Sequence, residues 1–82
     1  MTYIRVRAAR TIVATTDYGS AIVPCGTPGL CHGARRLDGK FRLKVEWMWV
    51  VAYSDKEPDL GGVTSGWQQD DVDPEDVEYS AA

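Results

Sequence analysis

The stretch Phe41-Arg42-Leu43-Lys44-Val45-Glu46-Trp47-Met48-Trp49-Val50-Val51 constrains the chain more than any other. Phe41, Leu43, Val45, Trp47, Trp49 and Val51 recur at every second position, with Arg42, Lys44 and Glu46 between them. Successive side chains on a strand point to opposite faces, so this period predicts a half-buried strand with its aromatic face inward. Met48 and Val50 interrupt the polar face, which predicts cover on both faces at the far end. Asp38-Gly39, just upstream, is a hairpin signal, because such turns need the positive φ that glycine allows. No window repeats apolar residues at helical spacing for even ten residues, so helix is scarce.

The remaining segments read as short strands between turns. Ile4-Arg5-Val6-Arg7-Ala8 alternates and Thr11-Ile12-Val13-Ala14-Thr15 is rich in β-branched residues, so residues 3–15 are expected as one long or bulged strand. A loop at 16–20 precedes apolar Ala21-Ile22-Val23 and the turn-forming run Pro24 to Gly29. Leu30 to Ala34 is a short strand leading into a basic turn at Arg35-Arg36. Ser54 to Gly62 is a polar loop, Val63 to Gln68 a strand, Asp70 to Asp76 a helical turn, and Val77 to Tyr79 a last strand. Eighty-two residues suffice for one small domain, 1–82, with an ordered core of about 3–79. The expected fold is all-β: five short strands closing as a small barrel, with a short helical turn before the last strand.

The order of motifs resembles the SH3-like small barrel of bacterial and phage proteins. Pro24-Cys25-Gly26-Thr27-Pro28-Gly29 is similar to the P-x-G-T-x-G run before that family's second strand. Val45-Glu46-Trp47 is similar to its V-x-W strand, and Gly66-Trp67 followed by Asp70-Asp71-Val72 to its terminal turn. The resemblance spans residues 4–79 and implies a five-stranded SH3-like barrel. Ala14-Thr15-Thr16-Asp17-Tyr18 also resembles the A-L-Y-D-Y segment of eukaryotic SH3 domains, which bind polyproline peptides. Here Thr16 replaces the first tyrosine and no P-x-x-Y follows Gly66-Trp67. Half of that groove is therefore missing.

Charge is divided along the chain. Residues 1–45 carry eight basic groups against two acids, and residues 46–82 carry one against ten, for a net charge of −3. Such asymmetry either presents charged surfaces to partners or is cancelled when the halves fold together. The first alternative makes Tyr18, Trp67, Asp70, Asp71 and Asp73 the candidate protein-binding residues. A second reading uses the basic hairpin, Arg35, Arg36, Lys40, Arg42 and Lys44, for nucleic acid. No outward aromatic for base stacking is expected in that hairpin.

Catalysis and metal binding are not expected. Cys25, Cys31 and His32 make three ligands at best, with spacing unlike standard zinc sites. Cys31 and His32 are strand neighbours, so alternation sends them to opposite faces and denies a nucleophile its base. The acids from Asp70 to Glu78 lack the calcium-loop pattern, and no phosphate-binding glycine loop occurs. No cofactor is implied. Two cysteines build no disulfide framework, and Met1 to Arg7 lacks an apolar segment of signal-peptide length, so a cytoplasmic setting is expected. The expectation is thus a non-catalytic interaction module with a protein partner or a second copy, and with no membrane span. The alternative is a small nucleic-acid-binding accessory protein.

Overall fold

The computed structural model describes residues 3–16, 19–54 and 62–79. Seven antiparallel strands make up one sheet among them: β1 (Ile4–Ala8), β2 (Ile12–Thr16), β3 (Gly19–Val23), β4 (Pro28–Leu37), β5 (Lys40–Ser54), β6 (Gly62–Val72) and β7 (Val77–Tyr79). The order is β2-β3-β5-β4-β1-β7, and β6 also pairs with β5. Long β5 organises everything. β4 lies along its Lys40–Trp47 part and β3 along Val51–Ser54, while β6 pairs with residues 43–52 from the opposite edge. The all-β class with a short helical turn before the last strand is as expected; the strand count is seven where five were read.

Thr16, Gly19 and Ser20, read as loop, and Pro28 and Gly29, read as turn, lie in strands. Three further boundaries differ from the sequence reading, each for a local reason. Residues 3–15 are two strands, because the chain breaks at Ala9-Arg10, where Ala9 N–H donates to the Asp76 carbonyl at 2.8 Å. After that break β2 pairs with β3, whereas β1 pairs with β4 and β7. Arg35 and Arg36 are in a strand, because the turn comes later, at Asp38 (φ 53°) and Gly39 (φ 77°), with Leu37 opposite Lys40. Asp70 to Val72 continue β6, so the helical turn shrinks to the 3-10 turn Pro74–Asp76. Asp73 caps that turn, its carboxylate accepting from Glu75 N–H at 2.9 Å, with proline next, where no donor is needed.

The core collects side chains from all strands except β7 and β4, whose Val77 and Cys31 pack against its margin. Val6, Ala8, Ile12, Val23, Val45, Trp47, Val50 and Val72 form one buried cluster. Alternation in β5 holds at its centre, with Val45 and Trp47 fully buried, but not at its ends. Phe41 is 59% exposed and Trp49 41% exposed, while Val50, on the opposite parity, is 1% exposed. Of the two residues expected to be covered at the far end, Val50 is buried and Met48 is exposed.

The Pro24–Gly29 corner shows why its residues are what they are. Gly26 takes φ +89°, its N–H donating to the Ala8 carbonyl at 2.8 Å. Thr27 is 1% exposed, and its hydroxyl donates to the Pro24 carbonyl at 2.7 Å. Gly29 sits opposite Trp47, where an added Cβ would meet the indole at 2.8 Å and Val45 at 2.9 Å. The tryptophan occupies the room a side chain would need.

Candidate functional site

An open cleft of about 700 Å³ lies where β2, the β4–β5 turn and the end of β6 converge. β2 contributes Ile12 to Thr15, the turn Leu37, Asp38 and Lys40, and β6 Trp67 to Asp71. Arg42, Asp73 and Asp76 complete it. Trp67 is half-buried against the core, while Asp71 is exposed. Gln69, 8% exposed, accepts from the Trp47 indole N–H at 3.1 Å. Register places Gln69 opposite Val45 and Trp67 opposite Trp47, so the two residues face the core side of the sheet together.

This cleft unites residues that the sequence assigned to rival surfaces. Trp67, Asp70, Asp71 and Asp73 stand beside Lys40 and Arg42. Arg42 pairs with Asp73 at 3.0 Å, and Arg35 donates through Nε to the Asp70 carbonyl at 3.2 Å. Arg10 reaches Asp76 at 3.2 Å and Arg7 reaches Glu78 at 2.8 Å. Basic N-terminal and acidic C-terminal residues thus pair in part, leaving the cleft lined by more carboxylates than cations. The pairs are largely exposed, where ion pairs are worth about 0–1 kcal/mol each, so they arrange charge more than they stabilise. Asp73 is held below its ordinary pKa, first by the Glu75 N–H and then by the Arg42 guanidinium.

The other predicted residues scatter. Arg36 stacks over the exposed Phe41 ring at 4.9 Å, so the hairpin does carry an outward aromatic, contrary to expectation. The ring lies outward because it sits beyond the part of β5 that the core covers. Lys44 does not line the cleft. Tyr18 lies outside the described residues. Sequence reasoning missed the contribution of Ile12 to Thr15, Asp38 and Asp76, because reading 3–15 as one strand hid the separate edge of β2. A polar residue at the inward parity of Trp67 was the available signal for Gln69.

A second hollow, of about 440 Å³, is apolar. It runs between β1, β4 and β7, past Ile4, Leu43 and Val77, and both Cys31 and His32 line it. Cys31 packs against the core, as its register partner Val45 does, while His32 reaches Glu46, whose parity is opposite to that of buried Val45 and Trp47. The β4–β5 register shifts between Cys31 and Gly33, a bulge that sets two residues against one. Cys31 Sγ donates to the Gly33 carbonyl at 3.5 Å, and His32 Nε2 lies 3.4 Å from Glu46 Oε2. Among the described residues no group of three or more His, Cys, Asp or Glu is placed to hold a metal ion. Compared with known proteins, the chain matches no family model, no curated protein and no solved structure.

Proposed function

We propose that the chain is a non-catalytic interaction module, an SH3-like small barrel that binds a protein partner through the acidic cleft. Its fold is supported by β1 lying between β4 and β7, by the long central strand, and by the 3-10 turn before the last strand. One observation carries the function. The cleft sets a half-buried Trp67 among five carboxylates, Asp38, Asp70, Asp71, Asp73 and Asp76, against only Lys40 and Arg42. An aromatic floor with a surplus of negative rim charge suits a partner segment carrying lysine or arginine.

The nucleic-acid alternative keeps one specific support, the exposed Phe41 ring under Arg36. Against it, two of the hairpin's basic residues are already engaged, Arg42 by the Asp73 carboxylate and Arg35 by the Asp70 carbonyl. Fluorescence anisotropy separates the two readings. The Asp70→Asn/Asp71→Asn variant is expected to weaken binding of a lysine-rich peptide, with an effect that shrinks as salt rises, while Arg35→Ala/Arg36→Ala leaves it intact. Salt-steep binding of mixed-sequence single-stranded DNA, lost in the arginine variant, would replace this proposal with the alternative.

A further inference from the structure

We infer that the cleft receives an extended segment of a partner protein as an added strand on the outer edge of β6, with a basic side chain of that segment against Asp71 and Asp38. The inference rests on the acidic-cleft reading and specifies how the partner is held. Its first support is the shape of the cleft. Four successive residues of β2 and five of β6 line it. Side chains alternate along the regular strand β2, so a groove touching four successive residues there follows its edge and not one face, while β6 bulges where Asp70 and Asp71 oppose Lys44. Among the described residues β2 pairs only with β3 and β6 only with β5. The cleft is therefore a slot between two strand edges, each with main-chain groups that another strand can meet. Trp67 to Asp71 extends roughly 13 Å at about 3.3 Å per residue, enough for several residues of an extended guest.

Gln69 supplies an independent support. The residue is 8% exposed and lines the slot. The Trp47 indole fixes its amide by donating to Oε1, and Nε2 has no hydrogen-bond partner among the described residues. That Nε2 is not among the buried side-chain atoms left without a partner, so it meets water at the slot, where a guest main-chain carbonyl could accept from it. Charge then sets the guest's chemistry. Asp73 is engaged by Arg42, Asp76 by Arg10, and the Asp70 carboxylate by Gln68 at 2.8 Å. Asp38 and Asp71 have no ion pair among the described residues and remain for a lysine or arginine of the guest. Lys40, also without an ion pair there, marks the turn end of the slot as the place for a neutral or acidic guest residue.

The test uses a short capped, fluorescein-labelled peptide alternating valine with lysine, the same peptide N-methylated at alternate residues, and a proline-rich peptide of equal charge. N-methylation removes main-chain donors while keeping charge and side chains. The parent is expected to bind saturably, to lose about tenfold in affinity on N-methylation, and to slow hydrogen exchange at the Trp67–Asp71 amides. Asp71→Asn is expected to weaken it about threefold at low salt. Equal binding of parent and N-methylated peptides, or tighter binding of the proline-rich one, would overturn strand addition while leaving the acidic cleft as a binding site. Failure of every peptide, with or without binding of mixed-sequence single-stranded DNA, would overturn both.

Discussion

The Pro24–Gly29 corner and the Asp70–Asp76 rim are both turn-rich, and they are held by opposite means. At the corner, Thr27 is buried, its hydroxyl is satisfied within the turn, and Gly29 lies directly against Trp47 and Val45. Along the rim, the contacts are ion pairs and capping bonds at the surface. A well-packed interior has few ways to relax, whereas exposed polar contacts exchange readily with water. The corner therefore constrains stability more than the rim does, and the rim can change at little cost to the fold.

The comparison breaks first at the core beneath the corner. Val45→Asp buries a carboxylate with no partner, costing several kcal/mol against a total stability of about 5–15 kcal/mol, so the variant is expected to lose its cooperative thermal transition. A melt close to wild type would show that the corner does not rest on that residue. Gly29→Ala is next. Its methyl group meets Trp47 and Val45 within 3 Å, and overpacking of this kind costs about 1–3 kcal/mol by urea denaturation. Thr27→Val keeps the shape of the side chain and deletes the bond to the Pro24 carbonyl, for an expected loss of about 1 kcal/mol.

At the rim, effects on stability should be small and effects on binding large. Asp70→Asn and Asp71→Asn are each expected to change unfolding free energy by no more than about 0.5 kcal/mol while weakening binding of a basic peptide. A change like that at the corner would erase the distinction. The smallest effect concerns acid. Since the pKa of Asp73 is depressed in the fold, its contribution is fully present above the ordinary aspartate value of about 3.9 and is lost as pH falls through the depressed value. Denaturant midpoints measured across that range should fall slightly less in Asp73→Asn than in wild type.

How much was legible in the residues follows from how local each determinant is. The β5 strand, the Asp38-Gly39 turn, the proline-led turn and the final strand were all readable, because alternation and turn chemistry act within a few residues. The candidate site was half legible. Trp67, Asp70, Asp71 and Asp73 were named, but the basic residues assigned to a rival surface, Lys40 and Arg42, line the same cleft.

Sequence alone determined the all-β class, the central strand and the division of charge, since these depend on side-chain period and composition. Only the tertiary structure decided which residues of that period are buried. Trp49, which alternation turns inward, is exposed, and of Met48 and Val50 only Val50 is covered, because cover comes from distant strands. It likewise decided that Cys31 and His32 both line one hollow, that β4 shifts register against β5 beside them, and that Arg42 pairs with Asp73 thirty-one positions away. Register and long-range pairing arise from the assembly of the whole sheet, and no short window of sequence contains them.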